Sequence, residues 1–391
     1  MIAVQPDTAL LSKIIERYLN FLSLCYRSDF DFSMTSRDPY SSPFARCFWV
    51  FGMHSIKATE MFNVDREKLA LAIIRDLQSK RKSISPGEEL VSKEYKQLLA
   101  FSLSALRILN QKCILQTEEF LVPFCKLNIV DHLDMLRVSE GLAGSGNHAM
   151  FLGQFLIEAQ NEFQIDTMKM QEKWVDYHLT SMNEFGLWGN SSSLTYLQFQ
   201  NGYHQYEIFD YLGVETGRET KLVNELLKLA DRAGQFAPYP GGGGCFDYDA
   251  IYLLHSLSRF ADSDELTNLF RTTLKTISLS QNSDGGFAEN LWVRPRSFQK
   301  FLFAANDACK CLSQPQVLKE KVLYLCTLQR PKHNQIKTHW SPEPRYWSES
   351  NLWDSWFRML TLARCWAAVE PETQILWDWS QGPGIGHSNG G

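Results

Sequence analysis

Four loop aromatics recur along the second half of the chain at intervals of about 50 residues, each ahead of an apolar helical segment. They are Trp188 in Asn183-Glu-Phe-Gly-Leu-Trp, Phe236 in Ala233-Gly-Gln-Phe, Phe287 in Gln281-Asn-Ser-Asp-Gly-Gly-Phe, and Trp340 in Thr338-His-Trp. A repeat of that length marks stacked helical hairpins, in which no unit buries its apolar face alone. Gly144-Ser-Gly-Asn-His148 opens an earlier, degenerate copy. Apolar residues at three- and four-residue spacing run through residues 10–22, 68–77, 95–109, 222–229, 266–279 and 353–369. No Asn-Gly hairpin flanked by alternating β-branched residues is present. The fold class expected is all-α, an α/α toroid with inner and outer helix layers.

The alternation of helices predicts which layer each joins. Residues 266–279 mix charged with apolar positions and belong outside, whereas 246–257 and 298–312 are apolar nearly all round and belong inside. Helices starting near Asn147, Tyr203, Phe246, Phe298 and Asn351 are expected to begin at one end of the ring and form its inner layer. A ring of repeats also lets 391 residues share one body. Residues 1–382 are read as a single toroid domain with faint repeats in the first third, and 383–391 as a flexible tail.

Composition narrows the function classes. A net charge of −5 offers nothing to nucleic acid or an anionic membrane. No apolar run reaches roughly 18 residues, so no integral membrane segment is expected. The first residues lack a basic region followed by an apolar run, and nine cysteines without framework spacing suit a reducing cytoplasm. Cys309 and Cys311 point to different helix faces and have no second pair nearby, which argues against a zinc knuckle.

Polar residues near the starts of the inner helices are expected to converge on one mouth, where unpaired N–H groups also point. They are Asn147 and His148; Tyr203, His204, Tyr206, Glu207 and Asp210; Asp247 and Asp249; Arg294 and Arg296; and Glu349, Asn351 and Asp354. Trp188, Phe287, Trp347 and Trp353 would supply stacking walls. Asp247, Asp249, His204 and Glu207 are the candidate acid/base groups, since two carboxylates at one mouth keep one of them protonated. Four glycines, Gly241–Gly244, precede this pair and permit close approach of backbone to ligand. No dinucleotide, Walker, His-Glu-x-x-His or Gly-x-Ser-x-Gly motif occurs, so no cofactor is expected, a divalent metal being left open.

Gln281-Asn-Ser-Asp-Gly-Gly-Phe287 resembles the Gln-x-x-Asp-Gly-Gly-Trp/Phe repeat of terpenoid cyclases and protein prenyltransferase β subunits, both α/α toroids. Asp247-Tyr-Asp249-Ala-Ile-Tyr-Leu-Leu254 is similar to the Asp-x-Asp-Asp-Thr-Ala segment of class II terpene cyclases. The resemblance implies that Asp247 is the protonating acid, although Cys245 and Tyr248 stand where that segment has carboxylates. It implies acid-initiated chemistry on a terpenoid. The alternatives are a carbohydrate-active toroid (lyase, hydrolase or epimerase) and a non-catalytic scaffold for a glycan or peptide. In each case the partner is a small or oligomeric substrate, and the oligomeric state is not set by the sequence.

Overall fold

A computed structural model describes residues 8–28, 30–61, 64–109, 112–292, 298–328, 330–379 and 382–386. In chain order the described helices begin with α1 (Thr8–Cys25), α2 (Pro43–Ser55), α3 (Arg66–Lys82), α4 (Lys93–Ile108), α5 (Glu118–Leu121) and α6 (Ile129–Met135). They continue with α7 (Ser145–Phe163), α8 (Met168–Ser181), α9 (Tyr196–Leu212), α10 (Glu219–Leu227) and α11 (Gly244–Ser256). The last are α12 (Ser263–Ser278), α13 (Phe298–Cys309), α14 (Pro315–Leu328) and α15 (Leu352–Val369). Two antiparallel ribbons, β1 (Tyr26–Ser28) with β2 (Asp31–Phe32) and β3 (Gln335–Ile336) with β4 (Arg345–Tyr346), are small additions.

Six helices close a ring in the order α2, α4, α7, α9, α11, α15 and back to α2. Contacts step forward together between α7 and α9 and between α2 and α15, so these neighbours run parallel. Gly146 meets Asn201 and Gly153 meets Ile208 between α7 and α9; Phe48 meets Trp353 and Phe51 meets Trp356 between α2 and α15. The fold is an α/α toroid. Helices α1, α3, α8, α10 and α12 pack outside on α2, α4, α7, α11 and α15. The two layers follow from patterning. On α12 the buried positions are Leu266, Phe270, Thr273, Leu274 and Ile277, one stripe at helical spacing, whereas α11 is buried continuously from Phe246 to Leu254.

The recurring loops are one turn used three times. Asn183, Asp231 and Asn282 each donate their amide to a carbonyl four residues on, at 2.7, 2.9 and 2.9 Å. Three residues after each stands a glycine, Gly186, Gly234 and Gly285, with φ of 81°, 71° and 91°, where a side chain would be strained. Two residues later come Trp188, Phe236 and Phe287, all buried. In these three copies the repeated aromatic is a wedge in the core behind the ring, whereas Trp340, expected as the fourth, lines a cavity inside it. Gln281 braces the third copy by donating to Gly285 O and to Ile14 O of α1, at 2.8 and 3.0 Å.

Helix α13 departs from the expected pattern. It packs on α14, outside the ring, and Leu302, Asn306 and Cys309 on it are exposed. The ring has no place for it, because Phe287 N–H donates to Ser355 Oγ at 2.8 Å and α15 already lies against α11. The α13–α14 hairpin sits instead over the starts of α9 and α11. Glu320 accepts from Tyr196 N and Leu197 N at 2.7 and 3.0 Å, and the ring of Tyr324 meets Phe246.

The tail also differs from expectation. Residues 383–386 are buried, with Gly384, Ile385 and Gly386 inside the ring. Small residues there serve a tight passage between helices; 387–391 lie outside the described residues.

Close approach of α7 to α9 generates a test. A Cβ on Gly146 would overlap the Asn201 carbonyl oxygen, while one on Gly213, the left-handed residue ending α9, would meet nothing within 4 Å. Urea unfolding is expected to show Gly146→Ala losing about 3 kcal/mol and Gly213→Ala only about 1 kcal/mol. Equal losses would contradict the ring contact.

Candidate active site

Five of the six inner helices turn one face each toward a cavity of about 140 Å³. From α4 come Lys93, Gln97 and Phe101; from α7, Asn147, Met150 and Phe151; from α9, Gln200, Tyr203 and His204. From α11 come Cys245 and Asp249, and from α15, Trp353, Trp356 and Phe357, with Trp340 of the preceding loop over them. The spacing within each set is three or four residues, which places each set on one helix face. Gly384–Gly386 close the other end. The lining is largely aromatic, and Phe48 stacks behind Trp356 at 6.1 Å between ring centroids.

Among the described residues, Asp249 is the one carboxyl that lines this cavity. It is 1% exposed, and its Oδ1 has no hydrogen-bond partner. Burial, then the neighbouring Glu207, Asp247 and Glu289, push its titration far above the ordinary carboxylate range, against a hydrogen bond from Tyr203. That direction favours the protonated form of Asp249. Glu207 lies behind it on α9. It accepts the Gly386 amide at 2.6 Å through Oε1, and burial raises its titration from 4.5 to about 8. His204 is held neutral by burial and by Lys93. Asn147 Nδ2 donates to its Nε2 at 2.6 Å, which leaves the ring proton on Nδ1, 3.8 Å from Glu207 Oε2.

Asp247 takes no part in the cavity. It lies two residues from Asp249, hence on another helix face, and its carboxylate is fully used. Oδ1 accepts from Phe236 N at 2.7 Å, and Oδ2 pairs with Arg358 of α15. The Arg358 guanidinium also donates to Glu289 O at 2.9 Å. Glu289 in turn accepts from Tyr239 Oη at 2.9 Å and from Gly244 N, the first residue of α11, at 3.3 Å. Its titration is raised to about 8, by burial first and then by Asp354. With Glu289 neutral, Asp247 and Asp354 balance Arg358 and Arg345, so this buried network is closed in charge.

The other expected residues divide sharply. Asn147, Tyr203, His204 and Trp353 face the cavity. Asn351 caps α15, accepting from Asp354 N at 3.1 Å, and Asp354 is held by Arg345 at 2.6 Å. Trp188 donates to His178 O at 3.1 Å in the core, Phe287 is wedged beneath α15, and Trp347 donates to His333 O at 2.9 Å. Tyr206 points to the opposite end, donating to Gly186 O at 2.9 Å. His148 lies outside the cavity lining, and burial with Lys96 and Lys93 lowers its titration to about 3. Arg294 and Arg296 lie outside the described residues. Tyr203, His204 and Glu207 sit in mid-helix, because α9 starts at Tyr196 behind a Thr195/Gln198 capping box, a signal legible in the sequence. Lys93, Gln97, Phe101, Met150, Phe151, Gln200, Trp356 and Phe357 line the cavity as well, and the sequence signals them only as one face of the helices that carry them. Among the described residues, no group of three or more His, Cys, Asp or Glu side chains is placed to hold a metal, and no helix is long and apolar enough to cross a membrane.

No protein-family model and no curated protein matches the chain. Among solved structures, the type II terpene cyclase MstE from Scytonema, in its apo form, aligns over 95% of this chain and 100% of its own, at 11% identity and a TM-score of 0.48. A likeness at that level says nothing of this chain's chemistry, which is read from the cavity.

Two outcomes are expected from these assignments. Asp247→Asn strands the buried Arg358 and should cost about 3–5 kcal/mol in urea unfolding, much of it recovered by adding Arg358→Met. A small loss in the single variant would remove Asp247 from the network. Glu207 titrates higher in the folded chain than in the unfolded one, so its stabilising protonation is complete below 4.5 and disappears as pH rises through about 8. The stability advantage of the parent over Glu207→Gln should therefore shrink between about pH 5 and about pH 9. An advantage that grows over that range would contradict the burial of a neutral acid.

Proposed function

We propose that this protein is an enzyme that protonates an apolar, unsaturated substrate of the terpenoid type, with Asp249 as the acid. The observation that carries this reading is a buried carboxyl, one oxygen of which has no hydrogen-bond partner, in the lining of a cavity walled by aromatic rings. Proton transfer to a carbon–carbon double bond leaves a carbocation and an aspartate. Both charges form in a site from which water is largely excluded. The π faces of Trp340, Trp353, Trp356, Phe357 and Phe101 favour a cation near them, and Tyr203 donates to the new carboxylate. The aspartate recovers its proton when the cation loses one, so the acid is regenerated and the product is an isomer of the substrate. Neutral His204 and the Asn147 amide line the same cavity and are placed to hold the substrate's polar end.

The carbohydrate reading has less support. Glycoside cleavage uses an acid together with an ionised carboxylate. Burial holds both Asp249 and Glu207 neutral, while Asp247 and Asp354 are bound by arginines.

The test is incubation with linear polyenes of increasing length in deuterium oxide, followed by mass analysis. The expected product is isomeric with its substrate and carries one deuterium, and Asp249→Asn should reduce its formation about 10²–10⁴-fold. Turnover that persists in Asp249→Asn, or a single turnover by enzyme exchanged beforehand into deuterium oxide that yields product without deuterium, would refute the assignment.

A further inference from the structure

The bore of the ring does not run through. A backbone strand, Gly382–Gly386, crosses it below the cavity. Cβ atoms added to Gly382, Gly384 and Gly386 would lie 3.4 Å from Ser104 of α4, 2.9 Å from Met150 of α7 and 2.6 Å from the Tyr248 hydroxyl of α11. These glycines have φ of 95°, 77° and 70°, a conformation that side chains resist. The strand is also pinned to the remaining neighbours. Gly386 N donates to Glu207 of α9 at 2.6 Å, and Gly386 O accepts from Arg364 Nη2 of α15 at 2.9 Å. One short segment thus touches five of the six inner helices. It also gives a partner to two buried ionisable groups that the protonation step leaves unused.

Two spaces lie on either side. Above is the aromatic cavity, with Ile385, 2% exposed, in its lining. Below, at the C-terminal ends of α9 and α11, is a cleft of about 470 Å³ whose walls include Tyr252, His255 and Trp379. The Arg364 guanidinium stands between them, 4.5 Å from the Tyr252 ring and 5.1 Å from that of Trp379.

We propose that Gly382–Gly386 is an internal plug that sets the depth of the substrate cavity, with Ile385 the residue that limits the length of apolar chain admitted. The proposal rests on the apolar-substrate reading given above. Its logic is that a glycine-rich strand passes where no ordinary side chain fits, while its backbone polar groups are satisfied by Glu207 and Arg364. The single large apolar group it presents, Ile385, becomes the floor. A smaller residue deepens the cavity and a larger one shortens it.

The probe is a series of n-alkyltrimethylammonium ions of increasing chain length. The quaternary head suits an aromatic wall, and binding is read from the fluorescence of Trp340, Trp353 and Trp356, which line the cavity. Parent, Ile385→Ala and Ile385→Trp are compared as full-length chains. Each methylene that finds room should tighten binding about fourfold. In Ile385→Ala this gain should continue for roughly two to three carbons beyond the parent's limit, and in Ile385→Trp it should stop earlier. Opposite shifts cannot come from a general loosening of the fold. The same length limit in all three proteins, or no binding by any of them, would overturn the plug. The binding needs no proton donor, so a failure here is distinct from a failure of Asp249→Asn to lose activity.

Discussion

The buried ion pair between Asp247 of α11 and Arg358 of α15 fixes the rotation of the helix that carries the acid. These helices are neighbours in the ring, and α11 is apolar on almost every side, so burial alone would permit several rotations. The pair permits one. With Asp247 turned toward α15 and toward the Phe236 amide, residues four apart on a different face, Cys245 and Asp249, look into the bore. Glu289 completes the arrangement by holding the first amide of α11. A network costly to desolvate is here a device for orientation, in keeping with the limited stability that buried ion pairs give.

The same burial that makes Asp247 structural makes Asp249 chemical. Both carboxyls are shielded from water, but only Asp247 has a guanidinium against it. Burial raises both titrations, but Arg358 opposes the rise at Asp247, whereas Glu207, Asp247 and Glu289 add to it at Asp249. Environment has therefore separated two like residues into an arginine-paired tie and a group that favours its proton, the pattern by which one fold assigns distinct roles to paired carboxyls. Glu207 extends the pattern, with its carboxyl held neutral and used as a backbone acceptor for the strand beneath the cavity.

Much of the architecture was legible in the chain. The repeated loop was visible because a positive-φ glycine and a buried aromatic recur in a fixed relation, as in Gly186 with Trp188 and Gly285 with Phe287. The inner and outer layers followed from the patterns of α11 and α12. Helix α13 misled, since an apolar segment reads alike whether it lines a ring or packs against one partner. The site was partly legible: Asn147, Tyr203, His204, Trp353 and Asp249 do converge. Asp247 misled because an acid near a helix start gives no sign of whether an arginine more than a hundred residues away will meet it. The tail misled for a related reason. Glycines read as freedom, yet between five helices they are the residues that fit.

The central claim is that Asp249 is protonated in the resting protein. Difference infrared spectroscopy between the parent and Asp249→Asn at neutral pH tests it directly, because a carboxylic acid and a carboxylate absorb in separate regions. The parent should show a carboxylic acid C=O band, shifted by exchange into deuterium oxide, that vanishes in Asp249→Asn. A carboxylate band lost in its place would mean that Asp249 is ionised, and the acid would have to be sought elsewhere in the ring.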